Sequence, residues 1–133
     1  MFSISRIALD GSLLWSTYWG GPGEEWIEYG SDVYGIGHMD PHPSFGPDGL
    51  MYIAASAYRG SSMGYFPTTP DAAIREQEDG GVLFSVDIQT GQIPMSTYVP
   101  IDPSGSNPGN QYIIVLPDTT ILLYGQGSTG DYK

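Results

Sequence analysis

At 133 residues the chain has the length of one ordinary domain and is too short for two independently folded ones. Fifteen acidic residues against four basic ones give a net charge of −11, which repels a nucleic-acid backbone or an anionic bilayer surface, and no run approaches the roughly 20 apolar residues of a membrane span. The absence of cysteine excludes disulfides, thiolate metal sites and a cysteine nucleophile, while 19 Gly and 11 Pro beside 40% hydrophobic residues describe short strands joined by tight turns.

Alternating hydrophobicity predicts a first pair of strands, Phe2 to Ala8 and Leu13 to Trp19, around the turn at Asp10-Gly11. The opening residues do not form the uninterrupted apolar core of a secretory signal, so an exported parent would carry its signal outside this chain. Trp15, Trp19, Trp26, Tyr29 and Tyr34 cluster around this region. Of these, Trp19, Trp26 and Tyr29 are the candidates for a platform on which sugar rings stack, although rings of this size more often fill a core, and core is the expectation.

Glu24, Glu25, Glu28 and Asp32 follow, a set of hard oxygen ligands suited to calcium but without the spacing of an EF-hand; they are expected as a solvated acidic loop. A third strand is predicted over Val33 to Met39. In an extended segment His38, Asp40 and His42 would share one side, a plausible ligand set for a transition metal, but Pro41 and Pro43 break the ladder that would align them. No cofactor is expected, calcium being the possible exception, and metal should be dispensable for folding.

Pro47-Asp48 opens the strand Leu50 to Tyr58. The stretch from Tyr58 to Gly81 is punctuated by Gly60, Gly64, Pro67 and Pro70 and reads as a surface excursion, packed by Tyr65 and Phe66, between two strands of one sheet. Residues 70–77 offer at most a turn or two of helix, and Asp71, Glu76, Glu78 and Asp79 form a second acidic cluster. Four more strands are predicted over Val82 to Ile88, Ile93 to Val99, Tyr112 to Leu116 and Ile121 to Gln126. The fold class is all-β and antiparallel, with Leu50 to Tyr58 and Val82 to Ile88 as neighbours. No nucleophile elbow, phosphate loop or His-Glu-x-x-His run occurs, and no carboxylate pair is placed against a recognisable acid, base or nucleophile.

Two patterns recur. Ser16-Thr17-Tyr18 returns as Ser96-Thr97-Tyr98, preceded at the same distance by Gly11 and Gly91, and Pro47-Asp48 returns as Pro117-Asp118 before another apolar strand. Tyr18 and Tyr98 are therefore both expected to be structural.

In chain order, Ser16-Thr17-Tyr18-Trp19-Gly20-Gly21 with Pro22-Gly23-Glu24-Glu25 resembles the STYLGGSGDD signature of the bacterial β-propeller repeat called SBBP. Gly49 to Ile53 resembles that family's GNVYV strand, Phe66 to Ala72 its FPTTPGA segment, and Gly80 to Asp87 its GGxDAFVAKLN strand. The second copy departs from the pattern, with Val99-Pro100-Ile101-Asp102 in place of the double glycine.

The resemblance implies four-stranded antiparallel blades of a seven-bladed propeller, about two blades' worth in this chain. Residues 1–19 would be the outer strands of one blade, 33–99 a complete blade, and 110–126 the inner strands of the next, with both ends reading as cut. It further implies a non-catalytic structural or adhesive module of a secreted or cell-surface bacterial protein, associating with itself or with further blades of a longer parent. The alternatives are a carbohydrate-binding propeller using the tryptophan-rich loops, or part of an enzyme whose site is completed by missing blades.

Overall fold

Along Leu50–Ala55 and Val82–Val86 successive side chains point to opposite sides, and both sides are apolar, as in a strand covered on two faces. The computed structural model bears this out and describes residues 2–20, 24–26, 43–58, 66–76, 79–99 and 108–127. Its strands are β1 (Phe2–Ile7), β2 (Leu13–Trp19), β3 (Glu24–Trp26), β4 (Ser44–Phe45), β5 (Leu50–Tyr58), β6 (Asp79–Asp87), β7 (Met95–Tyr98), β8 (Pro108–Val115) and β9 (Ile121–Gly127). Every pairing is antiparallel, and no helix occurs among the described residues.

A β1–β2 hairpin, a central five-stranded sheet and a β8–β9 hairpin make up the fold. The predicted neighbours do pair, from Leu50 opposite Asp87 to Tyr58 opposite Asp79. Two expectations are corrected. Glu24–Trp26, read as part of an acidic loop, is extended and pairs with Tyr58–Ser56 of β5. With β3 and β4 both along one side of β5, the central sheet has five strands rather than four and begins at Glu24. Residues 66–76 follow the outer side of β7 with only Phe66 buried, so that residue packs the excursion as expected. The strand predicted over 33–39 lies outside the described residues.

The central sheet is the middle of three layers. Ala55, Phe66, Val82, Phe84, Val86 and Tyr98 form a buried cluster on one face, against which Ile4, Trp15 and Trp19 of the first hairpin pack. On the other face Tyr52 and Leu83 meet Ile113, with Met95, Val115, Ile121 and Leu123 around them. Residues 82–86 are buried throughout because β6 is covered on both faces. Ser85 stands in that run, and its buried Oγ has no hydrogen-bond partner among the described residues.

The recurring Pro-Asp turns have one geometry. Asp48 Oδ1 accepts from the Leu50 amide at 3.2 Å, and Asp118 Oδ1 from the Thr120 amide at 3.0 Å. The residue after each aspartate has positive φ, 80° at Gly49 and 66° at Thr119. A β-branched residue thus occupies a left-handed position that its counterpart fills with glycine.

The glycine turns differ by one residue. The Ala8 amide reaches the Ser12 carbonyl across residues 9–11, whereas the Asp87 amide reaches the Gln92 carbonyl across residues 88–91. Since side chains alternate with period two, a slip of one residue exchanges the two faces of a strand. Ser16 and Tyr18 of β2 accordingly stand opposite Ser5 and Ser3 of β1, while Ser96 and Tyr98 of β7 stand opposite Phe84 and Val82 of β6. In the first hairpin Ile4 and Arg6 instead share the inward face with Thr17 and Trp15, their partners in register.

Candidate functional site

The described residues hold no group of three or more His, Asp or Glu side chains suited to a metal. Glu24 and Glu25 are placed in β3 by their backbone alone, as is Trp26. Glu28, Tyr29, Asp32, His38, Asp40 and His42 lie outside the described residues.

Trp19 is the one sugar-platform candidate whose side chain is described. It is half-buried between the first hairpin and the central sheet, and its indole Nε1 donates to Ser96 Oγ at 3.2 Å. Trp15 behaves alike, donating from Nε1 to the Ile88 carbonyl at 3.1 Å. Arg6 adds a second clasp at the same turn, its Nη1 donating to Ile88 O and to Gln89 Oε1, both at 2.9 Å. Both rings thus spend their apolar area and their single donor within the fold, as expected of buried tryptophan.

Two copies of one tripeptide are held very differently. In the second copy, the segment 66–76 runs along the free side of β7. The Phe66 amide donates to Tyr98 Oη at 2.8 Å, and Ser96 Oγ donates to the Pro67 carbonyl at 2.7 Å. The Thr69 amide donates to Ser96 O at 3.0 Å, the Ser96 amide to Thr69 Oγ1 at 3.2 Å, and the Tyr98 amide to Ile74 O at 3.0 Å. Ser96 and Tyr98 are consequently buried. Sequence alone did not show this path, because residues 66–76 carry no strand period and bond through turns and side chains.

In the first copy, Tyr18 is 66% exposed, which corrects the expectation that both tyrosines are structural. Ser16 is exposed, and its Oγ shares a hydrogen bond with Ser5 Oγ at 2.9 Å. Among the described residues only β1 pairs with β2. Leu14, preceding them in the alternation, is 52% exposed.

Four carboxylates brace turns and are held below the usual aspartate range by what they accept. For Asp10, Asp87 and Asp118 the first cause is a backbone amide, of Ser12, Gln89 and Thr120 respectively. For Asp48 it is the Tyr52 hydroxyl, which donates to Oδ2 at 2.6 Å. Burial, reinforced by this bond and by the Asp48 charge, pushes the Tyr52 phenol up to about 12.

Stability should therefore depend on alkaline pH. The folded chain keeps the Tyr52 proton after the unfolded chain has released it near the ordinary tyrosine pKa of about 10. The contribution is complete below that value and is lost as pH rises towards about 12. Urea unfolding at stepped pH should show this decline in the native sequence and a shallower one in Tyr52→Phe; parallel declines would contradict the assignment.

Comparison with protein-family models, with curated proteins and with solved structures finds no match to this chain.

Proposed function

We propose that the chain is a non-catalytic β-propeller repeat module that serves as a structural or adhesive scaffold. The observation that supports this most is the repeated way in which its layers stack. Each Ser-Thr-Tyr strand turns its alternate residues onto the layer that follows, Trp15 and Trp19 onto the central sheet, Met95 and Val99 onto the β8–β9 side. Pro-Asp turns of one geometry lead into β5 and β9, and glycine turns that differ by one residue lead into β2 and β7, which supports one supersecondary plan used twice. The secreted or cell-surface setting rests on the sequence resemblance alone. A sugar platform has less support, because Trp15 and Trp19 are engaged between layers.

A stack of this kind offers strand edges to further copies. Among the described residues β1 and β9 each have a neighbour on one side only. We expect β9 of one copy to extend the sheet of β1 in another, a heterologous contact that closes as a ring or runs on as a filament. The opposing term is the charge of −11 per copy, which salt screens beyond roughly 8 Å at physiological strength. Sedimentation at micromolar concentration should show association that strengthens between low salt and about 150 mM. A folded monomer under both conditions would overturn the assembly.

A further inference from the structure

We propose that Asp10-Gly11, in the turn between β1 and β2, is a site of spontaneous covalent modification, converting in the folded chain to an isoaspartyl linkage ahead of the other two Asp-Gly pairs. Both reacting groups belong to neighbouring residues, so the reaction needs no partner but water. The Gly11 nitrogen attacks Asp10 Cγ of the protonated carboxyl. A C–N bond forms, a carboxyl C–O bond breaks, and the departing hydroxyl leaves as water with the amide proton. Water then adds to the Asp10 main-chain carbonyl of the five-membered imide and breaks the old peptide bond. The chain now runs through Cγ, the α-carboxylate is free, and mass and formal charge are unchanged.

Glycine makes such a pair reactive, because the following residue has no β-carbon to crowd the nitrogen. The chain has three of them, Asp10-Gly11, Asp48-Gly49 and Asp79-Gly80. Asp79 and Gly80 lie in β6 opposite Tyr58 and Ala57. Ring closure there needs a rotation about the Asp79 Cα–C bond that a paired, extended strand does not permit.

The two turn sites are alike on the attacking side. Gly11 has φ 86° and Gly49 φ 80°, and each has open space where a β-carbon would stand. Each amide is tied back across its own turn, Gly11 to Ala8 O at 2.9 Å and Gly49 to Gly46 O at 3.3 Å. Both carboxyls are held below the ordinary aspartate range, so the direction of that shift does not separate them.

The carboxyl contacts do separate them. Asp48 is clasped at both oxygens, Oδ1 by the Leu50 amide at 3.2 Å and Oδ2 by the Tyr52 hydroxyl at 2.6 Å. Tyr52 is buried in β5, so closing the ring at Asp48 would strip a core residue of its acceptor. A β-carbon at Gly46 would fall 2.4 Å from Asp48 Oδ1 and 2.9 Å from Tyr52 Cε2, so carboxyl and ring are also lodged together beside that glycine. Asp10 accepts through Oδ1 from Ser12 alone, at 3.0 Å from its amide and 2.7 Å from its hydroxyl. Ser12 is exposed and belongs to the same turn, so the Asp10 carboxyl moves without disturbing the core.

The test is incubation of the intact chain for weeks at mildly acidic pH, followed by digestion with an endoproteinase that cleaves before aspartate but not before isoaspartate. Conversion at Asp10 leaves Met1–Ser31 uncut, conversion at Asp48 leaves Asp40–Pro70, and conversion at Asp79 leaves Asp71–Val86. In the folded chain Asp10 is expected to convert about tenfold faster than Asp48, the factor that one charge-assisted hydrogen bond represents. Tyr52→Phe, its fold verified by circular dichroism, should raise the Asp48 rate by about that factor and leave Asp10 unchanged. In concentrated urea the three pairs should convert at similar rates.

Conversion at Asp10 no faster than at Asp48 in the folded chain would overturn the proposal. So would an Asp48 rate that Tyr52→Phe leaves low. The same preference for Asp10 in urea would also overturn it, since local sequence and not the fold would then select the site. That comparison decides the matter by itself should Tyr52→Phe fail to fold.

Discussion

Replacing Phe84 by alanine is expected to cost about 3–5 kcal/mol, a third or more of what holds a typical domain of this size together. Phe84 has no exposed surface and sits among Val82, Val86, Ala55 and Tyr98. Its ring lies 6.0 Å from that of Phe66 at 42°, so truncation removes contacts both to the central sheet and to the segment covering β7. Close-packed neighbours relax only partly into the space, which adds a cavity cost to the lost transfer energy. The melting midpoint should fall by roughly 10–15 °C for a chain of this length. A loss below about 1 kcal/mol would show that the face carrying Phe84 is not the main core.

Gly91→Ala should rank next, at about 3 kcal/mol, although it adds only a methyl group. Gly91 has φ 73°, where a β-carbon is strained, and that carbon would lie 2.8 Å from Trp15 Cε3 and 2.9 Å from Trp15 Cδ2. These are aromatic ring atoms of an indole whose N–H is fixed on Ile88 O, so they have little room to yield. Gly11 has φ 86° but open space around its position, so Gly11→Ala should show the backbone strain without the clash. Denaturant midpoints for the two variants test the argument. Equal losses would remove the Trp15 contact from it, and a smaller loss for Gly91→Ala when combined with Trp15→Leu would support it.

The sequence was most informative where period and turn chemistry agreed. The alternation in Leu50–Ala55 and Val82–Val86, with Asp-Gly chemistry at the turns, was enough to place the central pair of strands. It was less informative where tertiary contacts decide. Residues 66–76 carry no strand period, yet Phe66 enters the core and Thr69 takes up the Ser96 main chain, because an otherwise bare edge at β7 needs partners. Trp19 is expected in the core rather than on a platform, and its indole N–H donating to Ser96 Oγ supports that.

Tyr18 and Tyr98 look equivalent because the spacing from glycine to Ser-Thr-Tyr is the same in both copies. Their unlike surroundings arise outside the tripeptide: residues 66–76 cover Tyr98, and the shorter first turn sets Ser3 of β1 opposite Tyr18 where Val82 of β6 stands opposite Tyr98. The acidic and histidine candidates, from Glu28 to His42, had only residue type and spacing to support them, and the described residues do not include them.

That shorter turn also has a meaning in heredity. Changing which side of β1 faces Trp15 and Trp19 by substitution would require Ser3, Ile4, Ser5 and Arg6 to change in concert, and intermediates would leave a serine against the tryptophans. One codon inserted between Ala8 and Ser12 would exchange the two sides at once, and one codon lost would restore them. Reading-frame-preserving slips in turn-coding DNA are therefore a single-step route by which a hairpin of this kind exchanges the two sides of one strand while its strand sequences stay the same.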